Sequence, residues 1–114
     1  MTALQLTEKF GFEPLAMPAP DHPVNGCYIG DLLSWVMGRA PQDSAWITVM
    51  TNINVAAVAV LCDVACVIFA QGAQPDATLR ERAETEDLTL LATEDDIYAA
   101  AVALDRVLNT AKTE

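Results

Sequence analysis

The chain has 114 residues, 53% of them hydrophobic and 19% charged, which excludes a disordered chain and suits one compact domain. Sixteen acidic residues against six basic ones give a formal net charge of −10, which argues against nucleic acid and anionic membranes as partners, because both bind Lys and Arg. The N-terminus lacks the basic start and apolar core of a signal peptide, so we expect a cytoplasmic protein.

The first part of the chain predicts a helix, two short strands and a second helix. A T-x-x-Q capping-box pattern opens the first helix, and Gly11 is placed to end it. The segments FEPLA and VNGCYI are predicted strands, and the proline-rich loop MPAPDHP separates them. Asp31 is placed to cap the next helix, DLLSWVM, which should end at Gly38. The residues that this helix should bury are Leu32, Leu33 and Val36.

The central segment, residues 44–62, has no charged side chain and is nearly long enough to cross a bilayer. Hydroxyl and amide groups interrupt it at residues 51–54, where hydrocarbon would leave them without hydrogen-bond partners. We therefore interpret the segment as a buried strand, AWITVM, a polar turn and a buried helix. The residues that helical spacing assigns to the core are Ile53, Ala56, Ala57, Val60, Leu61 and Val64.

The last part of the chain predicts two further buried strands, ACVIFAQG and LTLLA. Between them, PDATLRERAETED predicts an amphipathic surface helix that starts near Pro75. Thr93-x-x-Asp96 is placed to cap a last helix. The residues on one face of that helix are Ile97, Ala101, Leu104 and Leu108. Alternating strands and helices predict an α/β fold, with a mostly parallel sheet, helices on both faces and residues 1–114 in a single domain.

Polar side chains follow each predicted strand, at the sheet end where open α/β folds bind ligands. A helix start at Asn52 or Ile53 would offer free N–H groups and a partial positive charge to an anion. For Asp31 and Thr93 helix capping is the alternative role, and the segment 71–72 can be a plain turn. The candidate ligand-binding residues are Asp31, Ser34, Thr51, Asn52, Asn54, Gln71, Gly72, Thr93 and Glu94.

No catalytic or metal-binding motif is evident. Walker A, G-x-G-x-x-G and G-x-S-x-G patterns are absent from the sequence, so we expect neither an enzyme nor a bound cofactor. The three cysteines, Cys27, Cys62 and Cys66, are odd in number and lie among apolar residues, which favours buried reduced thiols. Without a fourth ligand they give weak support for a metal or iron–sulfur site, so we expect no metal.

Four phrases carry a family resemblance: GCYIGDLLSWVMGRA, AWITVMTNINVAAVAVL, CVIFAQGAQPD and LLATEDDIYAAA. Together they resemble the DRTGG domain, as found at the N-terminus of HPr kinase/phosphorylase, from about Leu4 to Leu108. Where the family carries its D-R-T-G-G signature, this chain has T-N-I-N at residues 51–54. The chain therefore resembles a stand-alone branch of the family.

The resemblance implies an α/β fold shared with the N-terminal domains of Mur ligases. It implies no kinase activity, because the P-loop domain of HPr kinase is absent from this sequence. DRTGG domains accompany CBS pairs in nucleotide-regulated enzymes or precede phosphotransacetylase domains, which implies a dimerising regulatory module. Its expected ligand is an adenine nucleotide with magnesium, or another anion.

Stand-alone members of the family are encoded beside iron-only hydrogenase and electron-transfer subunits. The alternative function is therefore an accessory subunit of such a complex, with no ligand of its own. A third hypothesis is an iron–sulfur or redox protein that uses the three cysteines.

Overall fold

The computed structural model describes the backbone of residues 1–113 and the side chains of residues 1–108. Strands and helices alternate along most of the chain. The strands are β1 (Glu13–Ala16), β2 (Gly26–Ile29), β3 (Ser44–Thr48), β4 (Cys66–Phe69) and β5 (Leu90–Ala92). The helices are α1 (Ala3–Phe10), α2 (Leu33–Arg39), α3 (Asn54–Cys62), α4 (Ala77–Thr85) and α5 (Ile97–Thr113).

The five strands form one sheet in the order β1-β5-β4-β3-β2. Strands β2 to β5 are parallel, and β1 runs antiparallel to β5 at one border of the sheet. The α/β fold with a mostly parallel sheet, predicted from the sequence, is therefore confirmed. The last residues of the four parallel strands lie together at one end of the sheet, which we call the carboxyl end.

Helices cover both faces of the sheet and divide the core in two. One cluster joins α2, α3 and α4 to the sheet and includes Val36, Trp46, Val55, Phe69 and Leu79. The other cluster joins α1 and α5 to the opposite face and includes Leu6, Ile47, Ile68, Leu91 and Leu104. Every side chain of β3, β4 and β5 is buried, as expected for central parallel strands covered on both sides.

The uncharged central segment folds as a strand, a turn and a helix. It forms β3 and α3, with the predicted polar turn between them. Among residues 1–113, none of the helices combines the length and hydropathy that a transmembrane span requires.

Helix α3 buries a different face from the predicted one. The predicted core residues that are exposed are Ile53, Ala57, Val60 and Leu61. Ala56 and Val64 are buried as predicted, and the helix also buries Val55, Val58 and Ala59. Because α3 is apolar on every side, the spacing of its apolar residues does not define a face, and packing against α2 and α4 decides the orientation.

Helix α2 begins at Leu33 and ends at Arg39, one residue beyond the predicted end. Val36 is buried as predicted and Leu33 is half-buried, but Leu32 is 61% exposed. Leu32 occupies the capping position, and its side chain has no group that could form a hydrogen bond. Asp31 does not cap the helix, because its carboxylate faces β3. The predicted cap at Asp31 and the predicted burial of Leu32 are therefore wrong.

The capping box predicted for α1 is present, and α4 begins at Ala77, two residues after the predicted start near Pro75. At α1, the Thr2 hydroxyl accepts a hydrogen bond from the Gln5 N–H, and the Gln5 side chain accepts one from the Thr2 N–H. Gly11 ends α1 in the left-handed conformation, at a φ of 70°. Asp76 caps α4 by accepting a hydrogen bond from the N–H of Leu79.

Candidate functional site at the carboxyl end of the sheet

The predicted strand-end residues lie along the carboxyl end of the sheet. In the order β5, β4, β3 and β2, they are Thr93 with Glu94, Gln71 with Gly72, the turn of residues 51–54, and Asp31. Ser34 is exposed in the first turn of α2. The structure therefore places the candidate residues just after the ends of four neighbouring strands. The turn after β3 lies between the turns that follow β4 and β2.

Asp31 joins the end of β2 to the end of β3. Its Oδ1 accepts a hydrogen bond from the Thr48 hydroxyl at 2.7 Å and another from the Val49 N–H at 3.0 Å. One residue earlier, the Gly30 carbonyl accepts a hydrogen bond from Trp46 Nε1 at 2.9 Å. One carboxylate oxygen of Asp31 is thus committed to holding the two strand ends together.

The turns after β4 and β5 are in direct contact. The Gln71 N–H donates to the Asp95 carbonyl at 2.8 Å, and the Gly72 N–H donates to the Thr93 carbonyl at 3.0 Å. Gln71 and Gly72 have φ values of 59° and 73°. The left-handed conformation at position 72 favours glycine, and a Cβ atom there would displace the end of the exposed Glu94 side chain, whose Oε2 lies 2.7 Å away. The segment 71–72 is therefore fixed against the β5 turn.

Asp96, and not Thr93, caps α5. Asp96 Oδ1 accepts a hydrogen bond from the Ala99 N–H at 2.7 Å. The Thr93 hydroxyl accepts one from the Asp95 N–H at 3.1 Å, which shapes the turn before the cap. The predicted capping role of Thr93 is wrong, because its hydroxyl is engaged within this turn.

The turn after β3 uses its own N–H groups. Asn52 Oδ1 accepts a hydrogen bond from the Asn54 N–H at 2.9 Å, and the Asn52 carbonyl accepts one from the Val55 N–H at 3.0 Å. The Ile53 carbonyl accepts one from the Ala56 N–H at 3.2 Å. The prediction of free N–H donors in the first turn is therefore wrong for these three groups. The exposed side chain of Asn54 and the side-chain NH2 group of Asn52 remain available to a ligand.

Two clefts open at the carboxyl end, one toward each border of the sheet. The cleft near β5 and β1 has a volume of about 310 Å³, and its lining includes the carboxylates of Glu13, Glu94 and Asp95. The cleft near β2 has a volume of about 290 Å³ and is apolar apart from Asp31. Because the first cleft is acidic, it suits a ligand that brings a cation better than a bare anion.

The cysteines lie away from this site. Burial raises the pKa of the Cys27 thiol to about 11, with Asp105 adding to the shift, and that of the Cys66 thiol to about 12. These two thiols are therefore protonated at neutral pH. They occupy strands on either side of β3, each paired with Ala45, which separates their Cα atoms by roughly 9–10 Å, too far for a disulfide. Among the described residues, no group of three or more His, Cys, Asp or Glu side chains lies close enough together to hold a metal ion.

The sequence analysis missed Thr48 and Asp95, which hold the strand-end turns in place. Thr48 is completely buried at the end of an apolar strand. A hydroxyl residue at the end of an apolar strand, with an acidic residue just after the neighbouring strand, could have predicted this hydrogen bond. Asp95 contributes its backbone carbonyl, which no sequence pattern identifies.

No family model matches the sequence, and no curated protein matches it. The fold is similar to a crystal structure of the CBS and DRTGG domains of the regulatory region of Clostridium perfringens pyrophosphatase, complexed with its activator, diadenosine tetraphosphate. The TM-score is 0.71 at 14% sequence identity, over 87% of this chain and 44% of that chain. The chain thus spans less than half of that structure. The likeness confirms the fold expected from the DRTGG resemblance.

Proposed function

We propose that this DRTGG-like domain is a non-catalytic regulatory module that binds an adenine nucleotide at the carboxyl end of its sheet and acts as a homodimer in the cytoplasm. The observation that carries the proposal is the row of polar strand ends, with the exposed amides of Asn52 and Asn54 among them. The structurally similar pyrophosphatase region is regulatory and binds an adenine dinucleotide. This likeness of fold, at 14% identity, supports the ligand class.

The side-chain amides of the turn after β3 (residues 51–54, called the β3 turn below) suit a nucleobase or a ribose as ligand. An amide side chain offers both donors and an acceptor, which match the polar edge of a base or the hydroxyls of a sugar. The internal bonds of the turn hold its backbone still, so little conformational freedom would be lost when a ligand binds. Asp31 and the Gln71–Gly72 segment provide equally fixed neighbours on either side.

The acidic groups of the site require a cation with the phosphates. Glu94 and Asp95 lie on the β5 side, and Asp31 lies on the β2 side. A bare polyphosphate would be repelled by these carboxylates and by the net charge of −10. Magnesium bound to the phosphates would remove much of that repulsion, and it commonly binds one or two carboxylates together with phosphate oxygens.

Calorimetric titration with adenine nucleotides in the presence of Mg²⁺ tests the proposal. Wild type should bind at least one member of a panel of mono-, di-, tri- and dinucleotides saturably. Asn52→Ala should bind several-fold more weakly, since it removes a hydrogen bond to the ligand, worth about 0.5–1.5 kcal/mol, together with the Asn52 Oδ1 bond that holds the turn. Asn25→Ala is the matched control, because Asn25 is exposed just before β2, at the other end of the sheet.

The outcomes separate the site from the ligand class. Saturable binding that both substitutions leave unchanged would place the site away from the β3 turn. Absence of binding by wild type across the panel would overturn the nucleotide proposal.

An accessory subunit of an iron-only hydrogenase or electron-transfer complex is the second candidate function. Exposed apolar side chains on α2 and α3 favour it, since Trp35 and Leu61 are 57% and 66% exposed. Co-purification with a hydrogenase subunit that Leu61→Lys abolishes, without nucleotide binding, would support this candidate.

A further inference from the structure

We infer that the open border of strand β2 is where two copies of this chain pair, strand to strand, about a two-fold axis. The inference deepens the homodimer part of the proposed function by naming its interface. It does not depend on nucleotide binding.

The two border strands of the sheet differ in how they are protected. Strand β1 contains Glu13 and Pro14, and its register with β5 shifts between Pro14 and Ala16. A charge, a proline and an irregular register are the features that prevent a border strand from pairing with another chain. Strand β2 has the sequence G-C-Y-I, with no charge and no proline, and pairs with β3 in regular register over its whole length. The chain thus protects one border and leaves the other open.

An apolar surface continues from this open border onto α2. The cleft of about 290 Å³ beside β2 is lined by Tyr28, Ile29, Leu32 and Trp35, among others. Ile29 is 48% exposed, and Leu32 and Trp35 are more exposed still. The Arg39 guanidinium lies 4.0 Å from the centre of the Trp35 ring and helps to hold the ring in place. A second strand at β2 would bring apolar side chains from the other copy over this surface.

The distribution of charged residues favours contact between two copies of the chain at this border over contact through their other surfaces. Two copies with a net charge of −10 repel each other, so they can meet only where acidic groups are few. From Leu32 to Cys62 the ionised residues are Arg39 and Asp43, and Asp43 is paired with His22. Asp31 follows the carboxyl end of β2, Asp43 lies beside its amino end, and Asp105 lies near Cys27. Asp21 is exposed in the loop before β2. A two-fold axis places identical uncharged strands together, which meets the self-complementarity that such an interface needs.

Molar mass by light scattering and sedimentation, from micromolar concentration downward, tests the interface. Wild type should be a dimer. Ile29→Lys should raise the dimer dissociation constant about a hundredfold, because each copy would bring a charge into the interface. Tyr98→Lys is the matched control, since Tyr98 is an exposed apolar residue on α5 and should leave the dimer unchanged. Trp35→Lys is a second test variant, and thermal melts of each variant confirm that it is folded.

Hydrogen exchange supplies a readout specific to strand pairing. The amides of residues 26–29 should be more protected in the dimer than in the diluted monomer. A monomeric wild type would overturn the inference while leaving nucleotide binding to stand or fall on its own titration. A dimer that survives both Ile29→Lys and Trp35→Lys, or one with no added protection of β2, would also overturn it.

Discussion

The side chains of Asp31 and Thr48 are joined by a hydrogen bond of 2.7 Å between the ends of two parallel strands. Thr48 is completely buried, whereas Asp31 is exposed, so the bond runs from the core to the surface of the carboxyl end. The turn of residues 51–54 begins three residues after Thr48. The position of that turn relative to β2 therefore depends on this contact.

Thr48→Val should destabilise the fold. The substitution keeps the shape of the side chain but removes two hydrogen bonds, the one that the Thr48 hydroxyl donates to the Asp31 carboxylate and the one that it accepts from the Met50 N–H. A hydrogen bond to a charged group typically contributes about 1.5–3 kcal/mol. Urea denaturation would show the loss. Thr89→Val is the matched control, because the Thr89 hydroxyl is buried without a partner and its removal should be neutral or stabilising. Equal losses for the two variants would mean that the hydrogen bonds of the Thr48 hydroxyl contribute nothing to stability.

Gly72→Ala should destabilise the fold by about 1–2 kcal/mol, chiefly because it forces a left-handed conformation on alanine, while the added Cβ atom has only to displace the end of the exposed Glu94 side chain. Adding Glu94→Ala should recover the steric part of the loss and leave the conformational part. Gly38→Ala is the control in thermal melts. A Cβ at position 38 meets no atom within 4 Å and sits in helix α2, so that change should be neutral or stabilising.

Nucleotide affinity should depend on magnesium. Removing Mg²⁺ with a chelator should weaken binding about tenfold or more, which corresponds to about 1.4 kcal/mol, because the carboxylates at the site then face uncompensated phosphates. Titrations with and without the chelator measure the difference. Affinity that rises on chelation would show that the acidic cleft is not part of the site.

Stability should fall in alkaline solution through the buried thiols. The pKa of Cys66 is raised by burial from 9.0 to about 12, so between these values the unfolded chain has lost a proton that the folded chain keeps. Unfolding is therefore favoured as the pH rises above about 9, by up to about 1.4 kcal/mol per pH unit for one thiol. Below pH 8 this contribution is constant.

Cys66→Ala should make the alkaline fall in stability shallower than in wild type, as measured by urea denaturation between pH 8 and pH 11. Cys62→Ala is the control, since burial raises the pKa of that less buried thiol by a smaller amount. A bound iron–sulfur cluster, detected by visible absorbance and iron analysis of anaerobically prepared protein, would contradict the assignment of Cys66 as a protonated thiol.

The order of helices and strands was largely predictable because it depends on local pattern. The change from continuous apolar sequence to polar residues at 51–54 lies between β3 and α3, and a capping box marks the start of α1. The direction of β1 was not predictable, since a four-residue strand carries no sign of whether its partner runs parallel or antiparallel.

The contacts that organise the site depend on residues distant in sequence. Asp31 is a residue type that commonly caps helices, and only the fold brings it into contact with Thr48. Gly72 reads as a turn residue, and only the fold places Glu94 against it. The exposed face of α3 could not be predicted either, because an all-apolar helix contains no polar stripe to show which side meets solvent.

The two tryptophans of the chain lie in opposite surroundings. Trp46 is completely buried and donates its indole N–H to Gly30, whereas Trp35 is more than half exposed beside the open border strand. The two indole rings should therefore differ in emission wavelength and in their accessibility to quenchers such as acrylamide. With Trp35→Phe, the remaining emission follows unfolding of the core, and with Trp46→Phe it follows the surface beside β2. The molecule thus carries separate built-in optical reporters of folding and of association.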